Sequence, residues 1–128
     1  MPSSVLIVDD CPPMRSVIRR MLEISGFPME ECYFAGDGDD ALSLLRRHRV
    51  DLIISDVYMP GLDGEGMLRR LAEDENLRRV PVVFVSTDGT QGRISRLLEM
   101  GARGYVVKPF QPGTLLAELK RALGTANA

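Results

Sequence analysis

Acidic, hydroxyl and ammonium side chains recur in this sequence at the ends of short apolar segments. In chain order they are Asp9, Asp10, Asp56, Ser86 and Lys108. Two carboxylates about 4 Å apart repel each other by about 4 kcal/mol at an effective dielectric of about 20. Three carboxylates brought together therefore call for a cation, and oxygen ligands without His or Cys favour Mg²⁺ or Mn²⁺ over zinc.

The same side chains suit the transfer of a phosphoryl group. A carboxylate can attack phosphorus and form an aspartyl phosphate, while a divalent cation neutralises the incoming group. Lys108 would then hold phosphoryl oxygens by charge and Ser86 by a hydrogen bond. A single Asp after a strand is more often a helix cap or a turn residue. The combination at four strand ends is what favours a functional site over that simpler interpretation.

The apolar segments predict five strands that must position these side chains. They are residues 5–8, 32–35, 52–54, 82–85 and 105–107. Four of them are rich in β-branched or aromatic residues without strict alternation, as in strands covered on both faces. The second is more polar, which predicts an edge strand.

Helical patterns separate the strands. Met14, Ile18 and Leu22 recur at helical spacing, Pro12 precedes them, and Gly26 can close the helix. Four further amphipathic segments make the order (βα) five times over. This alternation predicts an α/β fold, a doubly wound five-stranded parallel sheet with helices on both faces. Its functional crevice should lie outside the carboxyl ends of the strands.

The bulk properties limit the classes of function. A length of 128 residues suits one domain over residues 1–128, with a core at about 4–123 and a loose tail at 124–128. The formal net charge of −2 gives no attraction toward nucleic acid or an anionic membrane. No apolar stretch approaches the roughly 20 residues of a bilayer span, and no signal-peptide pattern is present. The chain is expected to be a cytoplasmic monomer without nucleic-acid or membrane partners.

The two cysteines, Cys11 and Cys32, lack CxxC spacing and a nearby histidine cluster, so no zinc site is expected. The sequence leaves a disulfide open, although a cytoplasmic chain would keep both thiols reduced. Both cysteines are predicted to be packing residues.

The motifs at the strand ends resemble the receiver domain of two-component response regulators. The matching stretches are VDD at 8–10, DVYMPGLDG at 56–64, VST at 85–87 and GYVVKPF at 104–110. The similarity extends from about residue 5 to 123 and is greatest to the single-domain chemotaxis-type (CheY-like) members. It implies a flavodoxin-like sheet with strand order 2-1-3-4-5.

The resemblance implies a role for each residue of the acidic group. Asp56 would accept a phosphoryl group from a histidine kinase, a phosphotransfer domain or a small donor such as acetyl phosphate. Asp10 and Asp56 would bind Mg²⁺ together with the main-chain carbonyl of Tyr58, and Asp9 would help mostly through water.

It also implies a switch. Ser86 would shift toward the phosphoryl group and Lys108 would pair with it, while the Lys108–Pro109 bond corresponds to one that is usually cis. Tyr105 would be the aromatic side chain that moves inward as the loop carrying Ser86 closes. Tyr105 as a plain core aromatic remains an alternative.

Tyr58 and Asp88 occupy the positions that tune phosphoryl lifetime in such domains. Asp88 is predicted either to orient a hydrolytic water or to cap the helix after Thr90, and Tyr58 is predicted to shield the acyl phosphate. These effects oppose each other, so the lifetime stays open. Cys11 departs from the polar or acidic residue common after the acidic pair, and it is not expected to remove the metal site.

With no output domain expected after the fifth helix, the output is predicted to be a protein–protein contact rather than separate enzymatic turnover. The expected surface is the fourth helix, fifth strand and fifth helix around Tyr105. Arg93, Arg96 and Arg103 would meet an acidic partner there or form a solvated face. Residue pairs 46–47 and 78–79 are interpreted as solvated arginines at helix ends.

Three competing interpretations follow from the same residues. A haloacid-dehalogenase-type phosphatase requires a second Asp two residues after its nucleophile, and this chain has Tyr58 at that position. A flavodoxin-like FMN-binding module should have a hydroxyl-rich first loop that holds the phosphate. The corresponding loop of this chain is Asp-Asp-Cys-Pro-Pro, whose carboxylates would repel phosphate. A receiver that acts without phosphorylation is disfavoured by the complete site.

Overall fold

Strands and helices alternate five times along the chain in the computed structural model, which describes residues 4–124. The strands are β1 (Ser4–Val8), β2 (Glu31–Ala35), β3 (Leu52–Ser55), β4 (Val82–Ser86) and β5 (Gly104–Val107). The helices are α1 (Pro12–Ile24), α2 (Gly38–Arg47), α3 (Gly64–Ala72), α4 (Gln91–Glu99) and α5 (Pro112–Gly124). The predicted (βα)₅ order is confirmed. The predicted loose tail at 124–128 lies outside the described residues from position 125 onward.

All five strands are parallel, in the order β2-β1-β3-β4-β5. The predicted flavodoxin-like topology and the predicted edge position of β2 are therefore confirmed. The order reverses between β1 and β3, and a crevice outside the carboxyl ends of the strands is the usual ligand site at such a point.

The sheet separates two apolar layers because successive strand side chains point to opposite faces. On β1, Val5 and Ile7 pack toward α1 and α5, whereas Leu6 and Val8 pack toward α2, α3 and α4. Both layers are closed by fully or nearly fully buried helical residues: Ile18, Leu22, Leu115 and Leu119 on one face, and Ala41, Met67, Leu71 and Leu97 on the other. A sheet covered on both faces holds the strand ends rigidly.

The start of α3 is fixed tightly against the strand ends. Asp63 caps the helix by accepting a hydrogen bond from the N–H of Gly66 at 2.9 Å. A Cβ on Gly64 would lie 2.5 Å from the carbonyl oxygen of Asp56 and 2.8 Å from the ring of Phe84. Only glycine allows this approach without displacing the backbone around Asp56.

The prediction for the cysteines was half wrong. Cys32 is partly buried and packs against the α1/α5 layer, but Cys11 is exposed. Cys11 directly precedes α1 at the carboxyl end of the sheet, and no helix or strand of residues 4–124 covers it. No helix among residues 4–124 is long and apolar enough to cross a membrane.

Candidate functional site

Three carboxylates meet at the carboxyl ends of β1 and β3. Side-chain oxygens of Asp9, Asp10 and Asp56 all lie within 4.8 Å of one another. Val8 and Ser55 are partners in the register of these neighbouring strands, so the residues that follow them emerge side by side. The N–H of Asp56 donates to the carbonyl of Val8 at 2.8 Å, which closes the two strand ends together.

The three carboxylates differ in exposure. Asp9 is 2% exposed, Asp56 is partly exposed and Asp10 is exposed to solvent. The N–H of Cys11 donates to Asp9 Oδ1 at 2.9 Å. Cys11 thus contributes a main-chain N–H to the site, and the carboxylates of Asp9 and Asp10 still lie close to that of Asp56.

Lys108 brings the compensating charge. Its Nζ lies 3.3 Å from Asp9 Oδ2 and 3.6 Å from Asp56 Oδ2. The N–H of Lys108 donates to the carbonyl of Ser86 at 2.8 Å, which anchors the end of β5 to the end of β4. The Lys108–Pro109 bond is cis, as the resemblance implied.

Opposing effects act on the Asp56 carboxyl. Burial raises its pKa above the ordinary value of 3.8, whereas the Lys108 ammonium and the N–H of Val57, 2.7 Å from Asp56 Oδ1, lower it in part. The neighbouring Asp9 charge raises it further. Additional positive charge at this place would therefore stabilise the ionised carboxylate. An all-oxygen donor set without His or Cys fits a hard divalent cation.

Ser86 and Tyr105 are joined through one loop. Ser86 is fully buried, and its hydroxyl oxygen accepts a hydrogen bond from the N–H of Asp88 at 3.2 Å. The hydroxyl of the partly buried Tyr105 donates to the main-chain carbonyl of the same Asp88. The Tyr105 ring also lies 6.5 Å from that of Phe84, centroid to centroid. Tyr105 is thus both packed against the core and tied to the loop that follows Ser86.

Tyr58 and Asp88 contact each other, which the sequence did not indicate. The Tyr58 hydroxyl donates to Asp88 Oδ2, and Asp88 Oδ1 accepts from the N–H and hydroxyl of Thr90 at 3.0 and 2.7 Å. The bond from Tyr58 is the main cause, and the Thr90 bonds the next, that lower the pKa of Asp88 to about 2. The N-cap of α4 is Thr90, whose side chain makes no capping hydrogen bond, so the alternative in which Asp88 caps the helix is wrong; Asp88 instead holds the residue just before the helix.

Glu65, in the first turn of α3, was not singled out from the sequence. Its carboxylate lies 2.6 Å from a guanidinium nitrogen of Arg93, 3.0 Å from one of Arg96 and 3.3 Å from one of Arg69. The two α4 arginines predicted to face a partner are thus paired inside the molecule. Arg103, the third, is partly buried and extends toward the carbonyl of Ala122 at 3.5 Å.

Comparison with known proteins agrees with this geometry. The model of the family described as "response regulator receiver domain" matches residues 5–120. The chemotaxis protein CheY of Pseudomonas aeruginosa is 34% identical over 123 residues, which are 96% of this chain and 98% of that protein. The polar-differentiation response regulator DivK of Brucella anthropi is 33% identical over 126 residues, covering 98% of this chain and all of DivK.

A solved structure gives the same result. Chemotaxis response regulator CheY4 of Vibrio cholerae superposes with a TM-score of 0.83 at 32% identity, over 95% of this chain and 99% of that one. Matched residues include the strand ends that carry Asp9, Asp10, Asp56, Ser86 and Lys108, all within 5–120. The chain therefore belongs to the response regulator receiver domain family of two-component signalling and is a CheY-like member of it.

Proposed function

We propose that the chain is a phosphoacceptor whose carboxylate Asp56 is phosphorylated in a Mg²⁺-dependent reaction by a histidine kinase or phosphotransfer domain. The observation that carries this proposal is the meeting of three carboxylates within 4.8 Å, with the Lys108 ammonium 3.3 and 3.6 Å from two of them. A structural ion pair needs one carboxylate for each ammonium. The two further carboxylates supply ligands for a cation.

Asp56 is the best placed nucleophile of the three. Its exposure is intermediate between that of the nearly buried Asp9 and that of the exposed Asp10, so it is accessible to a phosphoryl donor while it keeps the Lys108 ammonium close by. One carboxylate oxygen would attack the phosphorus of a phosphohistidine, the P–N bond would break, and the histidine nitrogen would leave with the bonding pair and take a proton. Mg²⁺, or Mn²⁺, would be held by Asp9, Asp10, Asp56 and the Tyr58 carbonyl, and it supplies positive charge to the phosphoryl oxygens when bound.

The switch would arise from exchanges of partners. Lys108 would leave Asp9 for a phosphoryl oxygen, and the Ser86 hydroxyl would turn from the N–H of Asp88 toward another. Because Tyr105 is bonded to the carbonyl of that same Asp88, a movement of the loop would change the position of its ring. Phosphorylation then shifts a population between two arrangements of the loop and Tyr105.

The output would be a protein contact at α4, β5 and α5, without separate enzymatic turnover. Leu98 on α4 and Val107 at the end of β5 are 42% and 40% exposed and lie on either side of Tyr105 in the sequence. Exposed apolar side chains on α4 and β5 suit a downstream protein partner. The chain would act as a cytoplasmic monomer.

Intact mass after incubation with acetyl phosphate and MgCl₂ tests the acceptor. We expect a gain of one phosphoryl group, about 80 Da, that a chelator abolishes and that Asp56→Asn removes. Asp39→Asn, an exposed carboxylate in the first turn of α2, is the control and should be phosphorylated like the wild type. Absence of an adduct, together with no spectral response to beryllofluoride, would instead indicate a receiver that acts without phosphorylation.

A further inference from the structure

A groove with four arginines among its twelve lining residues lies at the end of the sheet opposite to Asp56. It is formed where α2 leads into β3 and where the chain after α3 leads into β4, and it encloses about 600 Å³. Its basic residues are Arg46, Arg47, His48, Arg49 and Arg79. The proposed phosphorylation site is at the other end of β3. The four residues of this strand rise by roughly 3.3 Å each, so the two ends are about 13 Å apart.

The basic side chains of this groove are exposed and largely without ionic partners. Among residues 4–124, no carboxylate pairs with Arg46 or Arg79, and Arg47 donates only to the carbonyl of Ser43 in its own helix, at 3.4 Å. Arg49 is 92% exposed and lies 3.6 Å from the carboxylate of Asp51. The residues that line the groove therefore include four arginines and one acidic residue, Asp51.

Other arginines of the chain show the contrast. Arg93 and Arg96 share the carboxylate of Glu65, and Arg121 binds Glu118 at 2.9 Å. Pairing inside the molecule is thus available to arginines in this sequence. Its absence at Arg46 and Arg79 leaves a local excess of positive charge on a protein with a net charge of −2.

Five apolar residues line the groove together with the arginines, which restricts the chemistry of a ligand. Leu45 and Val50 belong to the buried core, and Leu77, Val80 and Pro81 line the same surface while partly exposed. The volume lies within the range of about 300–1,000 Å³ typical of ligand pockets. A small inorganic anion would leave the apolar lining residues without a contact. A peptide that carries carboxylates and an apolar side chain would contact both the basic and the apolar lining residues.

The surroundings disfavour a long polyanion. Glu30 and Glu31 line a neighbouring depression that shares Arg49 and Asp51 with the groove. A nucleic-acid duplex carries one charge per about 1.7 Å, and it or a membrane surface would bring its charges against these glutamates. A short segment can remain among the arginines, whose planar groups suit carboxylates.

We propose that this groove docks a short acidic segment of a partner protein, one that carries at least one apolar residue, whether or not Asp56 is phosphorylated. Recognition of acidic motifs by arginine clusters is a recurrent mode of peptide binding. The site would allow the chain to be recruited to an assembly while its other end responds to phosphorylation.

Fluorescence anisotropy with a fluorescein-labelled peptide, rich in Glu and Asp around a central Leu pair, tests the proposal. The charge-reversed variant Arg46→Glu/Arg79→Glu should bind this peptide about tenfold or more weakly than the wild type. The control Arg20→Glu/Lys120→Glu changes the net charge equally at exposed positions on α1 and α5 and should bind within about twofold of the wild type. Beryllofluoride should leave the affinity unchanged.

NMR chemical shifts of the backbone amides of the wild-type protein provide a second readout that does not depend on the folding of a variant. Addition of the peptide should move the resonances of residues 45–51 and 76–81. The proposal is overturned if shifts appear elsewhere only, or if both charge-reversed variants lose affinity equally. Binding of single-stranded DNA or phosphatidylserine vesicles in preference to the peptide would also overturn it, since the groove would then bind another class of ligand.

Discussion

The hydroxyl of Tyr58 donates a hydrogen bond to the carboxylate of Asp88. These residues lie two positions after Asp56 and two after Ser86, so one bond joins the loops that follow β3 and β4 above the acidic cluster. Arg93 extends this link, with its guanidinium carbon 5.5 Å from the centre of the Tyr58 ring and its Nε 3.8 Å from Asp88. The two residues expected to tune phosphoryl lifetime separately therefore form one unit.

Loss of this bond should shorten the lifetime of the phosphorylated protein. Tyr58→Phe keeps the ring but frees one oxygen of Asp88, which can then accept from a water near the phosphoryl group. We expect decay of the phosphorylated mass to be about threefold faster, which corresponds to a coupling of about 0.7 kcal/mol. In the Asp88→Ala background, which has no side-chain oxygen to accept this bond, the same substitution should have little effect. Equal acceleration in both backgrounds would contradict the coupling.

Removal of the ammonium should strengthen metal binding. Lys108→Met leaves the carboxylates of Asp9 and Asp56 without the positive charge that now lies 3.3 and 3.6 Å away. The metal-free variant should unfold at a lower temperature, and its affinity for Mg²⁺ should rise by about tenfold because the ion no longer competes with an ammonium. Melting temperature across a MgCl₂ titration measures both effects. Lys120→Met, exposed on α5, is the control, and a weaker affinity in Lys108→Met would show the ammonium to be no competitor.

Addition of one methyl group at Gly64 should destabilise the fold. The new Cβ in Gly64→Ala would lie 2.5 Å from the Asp56 carbonyl oxygen, which is backbone and cannot move aside cheaply. We expect a loss of about 1–3 kcal/mol in the free energy of unfolding, measured in urea. Gly92→Ala is the matched control, because nothing lies within 4 Å of its added Cβ inside α4. The free energy of unfolding of that variant should equal that of the wild type or exceed it by up to about 1 kcal/mol. Comparable losses of stability in both variants would exclude the steric cause.

Glu118 should contribute a pH-dependent part of the stability. Hydrogen bonds from Arg121 at 2.9 Å and from the N–H of Tyr105 at 3.0 Å lower its pKa below the ordinary value of 4.5. A lowered folded-state pKa gives stability that is present above the unfolded-state value and is lost as the pH falls through the folded-state one.

Urea unfolding across that acid range should therefore show a smaller loss of stability on acidification in Glu118→Gln than in the wild type. Glu73→Gln, exposed at the end of α3, controls for the change of one charge. A wild-type slope retained in Glu118→Gln would mean that the two hydrogen bonds are of no consequence for the ionised state.

Several features were accessible from the sequence because they depend on local patterns. The spacing of apolar residues predicted every strand and helix, and the polar character of residues 32–35 placed that strand at an edge. Parallel strands necessarily direct their carboxyl ends to one side of the sheet, so the meeting of Asp9, Asp10 and Asp56 followed from their positions after strands.

Contacts between surface side chains far apart in the sequence were not accessible from it. Tyr58 and Asp88 are 30 residues apart, and Glu65 is 28 and 31 residues from Arg93 and Arg96. No periodicity relates such positions. Whether these side chains meet depends on the backbone conformation of the segments that carry them and on the rotamers that packing allows. The same holds for Cys11, whose exposure depends on the absence of a covering element.

The fold class, the order of the strands along the chain and the polar side chains at their ends could all be read from the amino-acid sequence. These follow from short-range periodicity and from the handedness of parallel connections. Which charges form pairs became clear from the three-dimensional packing: Glu65 engages the arginines of α4, whereas Arg46 and Arg79 are exposed and form no ion pair within residues 4–124. The reason is physical, since pairing of charges depends on distances of a few ångströms that are set by packing of the whole domain.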